Sequence, residues 1–520
     1  MEAALMAYLA TRRWFPLAAL LGLCAVLFFY GINRGELYRT EGLRARVAAE
    51  GLASGDWLVP TLYGQPFLTK PPGMYAAVAA VSWPIGEVTE VTARLPSALA
   101  ATATVLLFWW YFTQQLGKLG GFVAAALLPL SFMWLDKAPA AEIDALQVAW
   151  VSGAIIFFFR AIENEQTSLN DTLIAFTCLT AGTLTKWTAP AFYYGTALPL
   201  LAWRGRLSWL IGRQHLLGLA LTITLCLSWL TVAGQRAGWD ILAETVYREA
   251  SQHLSPGLRQ EAIAQMGAGH QSHLGYVGQT LLHPLWLLAM NAPWSLLALA
   301  TLWPGFLRSW DKRGVRLWQA LHCWLWPNLL FWSLLPQHSA RHSFPLFPAF
   351  AGLAAMMWFW IWRAGPVMAP VKRDDGKTRF LGEMPLTGAI TGPARLLLAT
   401  LALWLVVKIA FVEAYVPLRL ATRQTRDNGA LLAAHVPADQ MLRIGRLKDD
   451  TLLFYFGRPA RRLADLGELR SNAEPMYCIL EEGERASVAD LGSVILRLHD
   501  GQGNPLVLLA VPPHSQESRP

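Results

Sequence analysis

The stretch that decides the reading is RGELYRTEGLRARVAAEGLASGDWLVPTLYGQPFLTKPP, residues 34–72. It is polar, it follows an apolar run, and the chain beyond it stays mostly apolar. Within it lie the carboxylates Glu36, Glu41, Glu50 and Asp56 and the cations Arg34, Arg39, Arg44, Arg46 and Lys70. Short loops on the non-cytoplasmic side of a membrane normally avoid Lys and Arg. A cluster of both on that side suits an anion, and a carboxylate beside it suits proton removal.

The rest of the chain supplies the membrane. Of 520 residues, 54% are hydrophobic and 15% charged, 24 are Trp, and the mean hydropathy is +0.34. Soluble chains carry about 25% charged residues, so these values exclude an ordinary soluble enzyme. Apolar runs near 14–32, 94–113, 118–135, 145–162, 171–186, 188–203, 215–234, 284–303, 317–335, 343–363 and 395–416 predict about eleven to thirteen spans of an α-helical polytopic membrane protein. The first run, after Arg12 and Arg13, reads as a retained signal-anchor helix. The net charge of +8 follows from basic loops and does not point to nucleic acid. Of the five cysteines, only Cys478 lies in a polar segment, so no disulfide framework is expected.

Basic residues fall on alternate loops, which puts the N-terminus in the cytoplasm and the C-terminal segment outside. The same parity gathers residues 34–93, 136–144, the Lys186 turn, 337–343 and the long 235–283 loop on the outer face. Residues 37–53 are expected to form a helix resting on the membrane surface, with Leu43 and Val47 on one side. Gly51, Gly55 and a turn at Tyr63-Gly64-Gln65-Pro66 return the chain toward Lys70. Residues 74–86 are apolar but too short to span, so they should lie at the interface or against the bundle. Two domains result: 1–416, the transmembrane part, and 417–520, a small α/β domain outside the membrane, its tail from Pro512 onward expected to be disordered.

Several residues on the outer face could carry chemistry, each with a structural alternative. Glu41 starts the surface helix among cations that would keep it ionised, or is a solvated helix-end carboxylate. Asp144, two residues after Glu142, sits at a helix N-terminus, where the dipole favours a carboxylate with no function required. Yet ionisable groups at membrane depth commonly mark a site. Lys186 joins two spans with almost no loop, where a phosphate could meet it. Lys70 is stiffened by Pro71 and Pro72. Arg341 and His342 precede another span on the same side. His338 and His342 have metal-compatible helical spacing, but Pro336 and Pro345 argue for a loop there.

In this order, EGLRARVAAEGLASGDWLVPTLYGQPFLTKPPGMY, ARLPSALAATATVL, AEIDALQ, LTKWTAPAF and ARHSFPLFPAFAGL resemble the GT-C class of membrane glycosyltransferases that use polyprenyl-phosphate sugars. The resemblance is particularly to the lipid A aminoarabinose transferases and protein O-mannosyltransferases. The resemblance runs from about Leu37 to Ala355. It implies inverting transfer of a sugar to a lipid A, glycan or protein acceptor at the outer face of the bacterial inner membrane. Glu41 and Asp144 would be the catalytic carboxylates, and Arg44, Lys70, Lys186, Arg341 and His342 would bind substrate. The family's Asp-Glu pair reads Thr40-Glu41 here, and its acidic residue before the Lys-Pro pair is Thr69. The resemblance implies a polyprenyl-phosphate-linked sugar as donor, the acceptor and membrane lipids as further partners, and no cofactor firmly, with a divalent metal an open alternative. The rivals are a transporter or lipid flippase and a non-catalytic relative. No paired inverted halves and no nucleotide-binding loop are evident for the transporter.

Overall fold

The structure is a computed structural model that describes residues 14–163, 168–254, 276–335, 339–364, 392–470 and 474–513. Arg12, Arg13, His338, most of the basic 364–391 loop and residues 514–520 lie outside the described residues.

Every predicted span falls on helical residues. In chain order the helices are α1 (Phe15–Cys24), α2 (Glu41–Ser54), α3 (Gly73–Ser82), α4 (Glu90–Leu127), α5 (Phe132–Lys137), α6 (Ile143–Ala161), α7 (Leu169–Thr183), α8 (Ala189–Trp203), α9 (Arg213–Ala237), α10 (Trp239–Leu254), α11 (Tyr276–Met290), α12 (Trp294–Ala300), α13 (Lys312–Leu334), α14 (Phe347–Ala364) and α15 (Gly392–Ala410). Among the described residues five helical stretches are long and apolar enough to cross a bilayer: Glu90–Leu127, Ile143–Ala161, Arg213–Ala237, Ala340–Trp362 and Ala394–Ala421. The protein is a membrane protein.

Local chemistry sets the breaks. Two of the expected spans, 94–113 and 118–135, share α4, which is interrupted where Gly117 takes φ 78°. A left-handed backbone costs glycine little and other residues more. The expected 284–303 span is split between α11 and α12, with Pro293 at the N-cap of α12. Thr89 starts α4 with a reciprocal capping box to Thr92.

Two expectations need correction. Residues 37–53 do not rest on a surface: in α2 the side chains of Glu41, Arg44, Arg46 and Val47 are buried, and Gly42 lies where a Cβ would come within 2.5 Å of the Thr451 Cα. The C-terminal segment covers the helix at Thr451, and Glu41, Arg46 and Glu50 are paired with protein groups. The 235–283 segment is not a plain loop either. It contains α10, whose Leu242 and Thr245 are buried against the bundle.

The Tyr63-Gly64 turn, with φ 56° and 73°, joins the two-residue strands β1 (Thr61–Leu62) and β2 (Gln65–Pro66). Glu50 holds this hairpin, accepting from the Thr61 hydroxyl (3.0 Å) and from the backbone N–H of Tyr63 (2.8 Å). Near the end of the chain come α16 (Val416–Ala421), α17 (Thr425–His435), β3 (Leu442–Ile444), α18 (Asp450–Phe456), β4 (Ala460–Arg462), β5 (Met476–Glu481), β6 (Ser493–His499) and β7 (Pro505–Val511). The sheet order is β4-β3-β5-β7-β6, with β3 parallel to β4 and β5, and β7 antiparallel to both its neighbours. Buried Leu442, Ile444, Leu452, Phe456 and Ile479 fill one face of that sheet, while Tyr63 reaches into the same cluster from the hairpin.

Candidate active site

A turn, a helix start and two loops meet above the bundle. Gly73 lets the loop carrying Lys70 press on the end of α7, donating its N–H to the Leu184 carbonyl at 2.8 Å. A Cβ at Gly73 would lie 2.8 Å from that oxygen, so no larger residue fits without displacing the loop. Lys186 follows in the short connection between α7 and α8. Its ammonium donates to Asp144 Oδ1 at 2.9 Å, and both side chains are buried. Asp144 is in the first turn of α6, as its sequence position predicts.

Lys70, Lys186, Arg341 and His342 line one cavity of about 1180 Å³. Phe132, Met133, Leu135, Trp286, Met290 and Val407 give much of its wall an apolar character. A recess of about 40 Å³ is lined by Lys70, Lys186, Arg341 and His342 together with Thr40, Arg44, Glu142, Ile143 and Asp144. Six of the seven expected site residues are therefore brought together. Lys70 also pairs with Glu249 of α10 and donates to the Thr69 carbonyl at 3.0 Å. Burial lowers the proton affinity of Lys70 below that of an ordinary lysine, although Glu249 pulls the other way. Arg44 donates to the Tyr75 hydroxyl and lies over that ring, 5.5 Å from its centroid.

Glu41 is the exception. It borders a different recess, of about 60 Å³, with Arg94, Lys137, Glu142, Lys408 and Arg419. Arg94 Nε donates to Glu41 Oε1 at 2.9 Å and Arg94 Nη2 to Oε2 at 3.2 Å. The backbone N–H groups of Ala141 (2.8 Å) and Tyr38 (2.7 Å) complete the set. Burial pushes the Glu41 carboxyl up, but Arg94 and these backbone donors outweigh it and hold the group below the ordinary glutamate range. The expected neighbours Arg39 and Arg44 are not what holds it. Arg94 was overlooked in the sequence because it reads as part of an apolar helix, yet an arginine within such a run is itself a signal.

Glu142, two residues before Asp144 in the sequence, lines the same recess as that residue. It occupies the N-cap position of α6, its side chain making no capping bond, and is 4% exposed, with Oε1 accepting from Lys137 Nζ at 3.0 Å. Its Oε2 is buried and accepts no hydrogen bond among the described residues; the Arg341 guanidinium stands 3.6 Å away. Among the described residues no three His, Cys, Asp or Glu side chains gather as metal ligands. Thr40 and Thr69 offer only neutral oxygens, while Glu142, Asp144 and His342 line the recess beside Thr40.

The fold is that of the GT-C membrane glycosyltransferases. The crystal structure of ArnT from Cupriavidus metallidurans bound to undecaprenyl phosphate superposes with a TM-score of 0.71 at 16% identity, covering 98% of this chain and 100% of that one. Within that class the chain resembles the aminoarabinose transferases. The sequence model of the dolichyl-phosphate-mannose-protein mannosyltransferase family matches residues 69–231. The undecaprenyl phosphate-alpha-4-amino-4-deoxy-L-arabinose arabinosyl transferase of Pectobacterium atrosepticum is 25% identical over 363 residues, covering 66% of this chain and 59% of the relative. Arabinosyl transferase 2 of Pseudomonas fluorescens is 26% identical over 344 residues, covering 62% and 51%. The match thus spans between half and three-fifths of the length of these curated relatives.

Proposed function

We propose that the protein is an inverting membrane glycosyltransferase that moves a sugar from a polyprenyl-phosphate donor to a lipid, glycan or protein acceptor. The observation that carries this reading is the meeting of Lys70, Lys186 and Arg341 in one cavity with apolar walls. A lipid phosphate presents that pairing of features: an anion for the cations and a prenyl chain for Phe132, Met133 and Trp286. The bound undecaprenyl phosphate of the similar crystal structure and the names of the curated relatives point the same way. In this account the reaction takes place at the extracytoplasmic face of the bacterial inner membrane. The N-terminus is cytoplasmic, and residues 417–520 form a separate outer domain.

The three cations neutralise the donor phosphate and stabilise the charge that grows on it as the anomeric bond breaks. Contacts of this kind are strongest away from bulk water. A phosphate so stabilised leaves without a strong acid, and the one remaining need is a base for the acceptor proton. Asp144 orients Lys186. Glu41, with its oxygens committed to Arg94, Ala141 and Tyr38, supports the 139–142 turn. His342 and Arg44 complete the polar rim.

Thr40 and Thr69, in place of the family's acids, favour a second reading: a relative that binds lipid phosphate without transferring sugar. Incubation of the purified protein with defined polyprenyl-phosphate sugars and candidate acceptors separates the two. Release of polyprenyl phosphate coupled to a glycosylated acceptor supports the transferase, and binding with no release supports the non-catalytic relative.

A further inference from the structure

The geometry points to Glu142 as the base that takes the acceptor proton, an assignment that rests on the transferase reading above. Glu142 is shared by the two recesses. On one side it faces the recess of Lys70, Lys186 and Arg341, where the donor phosphate binds; on the other it faces that of Arg94, Lys137 and Lys408. Each is roomy enough for a hydroxyl or a water.

The three nearby carboxylates are not equivalent. Glu41 accepts four hydrogen bonds. Asp144 Oδ1 is bonded to Lys186. Among the described residues, Glu142 alone of the three has a buried oxygen that accepts no hydrogen bond: Oε2, which the Arg341 guanidinium approaches only to 3.6 Å, while its other oxygen is fixed by Lys137. A buried acceptor left without a donor costs free energy, and a substrate O–H supplies the missing one. The backbone around it is held firmly: the Ser97 hydroxyl donates to the Glu142 carbonyl at 3.0 Å, and Ala141 is tied to Glu41.

The charges around the carboxylate come from several elements: Asp136 and Lys137 on α5, Asp144 on its own helix, Arg341 and His342 before α14, Arg39 before α2, Glu41 and Arg44 on α2, Arg94 on α4, Lys408 on α15, Arg419 on α16, and Lys70 and Lys186 in their loops. Burial, which Lys137 and Arg341 oppose and Asp144 reinforces, keeps the group above the ordinary glutamate range. A base with raised proton affinity is the better proton acceptor, provided it is ionised at the working pH.

In the step, the acceptor oxygen forms its bond to the anomeric carbon as its proton passes to Glu142 Oε2. The bond from that carbon to the phosphate oxygen breaks, and its electron pair leaves on polyprenyl phosphate. The proton is then released to water, which restores the carboxylate.

The test compares unaltered protein with Glu142→Gln and Glu142→Asp, using a lipid-linked sugar turned over by the unaltered protein. The assignment expects Glu142→Gln to lose about 100-fold or more in kcat, with its affinity for undecaprenyl phosphate held within about 2-fold. Glu142→Asp keeps partial activity and a shifted acid limb of the pH–rate profile. Glu142→Gln within 10-fold of the unaltered rate, or an unchanged acid limb in Glu142→Asp, overturns the assignment and leaves the transferase reading standing. No turnover of any lipid-linked sugar by the unaltered protein overturns that reading and this one with it.

Discussion

Glu41 and Arg94 form a two-armed ion pair, at 2.9 and 3.2 Å, with both side chains almost wholly out of solvent. The remaining guanidinium contacts run to the carbonyls of Ile32, Arg34, Gly35 and Glu36, so this one arginine fastens the exit of α1 to α2 and α4. Removing one member of a buried pair costs about 3–5 kcal/mol because the other charge is left behind. Glu41→Ala should therefore lower the thermal unfolding midpoint strongly in detergent, with activity per folded molecule far less affected. A fall in turnover with no loss of stability would return Glu41 to the role of base.

The pH dependence of this pair has a definite sign. The folded-state affinity of Glu41 for a proton is depressed, so its contribution is present above the unfolded value of about 4.3 and is lost as pH falls through the lower folded value. The difference in midpoint between unaltered protein and Glu41→Gln should shrink on acidification below that range. A constant difference from pH 7 to pH 3 contradicts it.

Glu142 carries the opposite sign. Its folded proton affinity is raised, so the associated stability is present below the unfolded value and is lost as pH rises through the folded one. The midpoint of Glu142→Gln should therefore rise relative to that of the unaltered protein as pH increases through the folded value, on top of a pH-independent offset from the lost pairing with Lys137. A difference that stays constant with pH contradicts it.

Much of this arrangement was legible in the chain, and the limits have physical causes. Asp144 and Lys186 stand out because ionisable residues at membrane depth commonly mark a site, despite the structural alternative of the helix dipole, and Lys70 because Pro71 and Pro72 stiffen it. Their convergence could be expected from the alternation of loop charges, although no sequence pattern sets the 2.9 Å contact between Asp144 and Lys186. The misreading of α2 has a plain origin. Its alternation of Leu, Val and Arg fits a surface helix, and only the tertiary contact of Gly42 with Thr451, some four hundred residues on, shows that its outer face is covered. The roles of Arg94 and Glu142 depend on counting hydrogen bonds, which requires coordinates.

Glu249 offers a further check. It pairs with the Lys70 ammonium, so it competes with an anion for that cation. Partly exposed ion pairs are worth about 0.2–1 kcal/mol, which sets the scale of the gain: Glu249→Gln should bind undecaprenyl phosphate up to about 5-fold more tightly. Weaker binding would show instead that Glu249 helps to shape the site.

The most direct test of the central claim is the equilibrium affinity for undecaprenyl phosphate of the unaltered protein, Lys70→Gln and Lys186→Gln, each confirmed to be folded by its unfolding midpoint. Hydrogen bonds to charged groups contribute about 1.5–3 kcal/mol, so each substitution should weaken binding by about 10-fold or more. Equal affinities across the three proteins would contradict the account, because the lipid phosphate would then have to be held somewhere other than between Lys70 and Lys186.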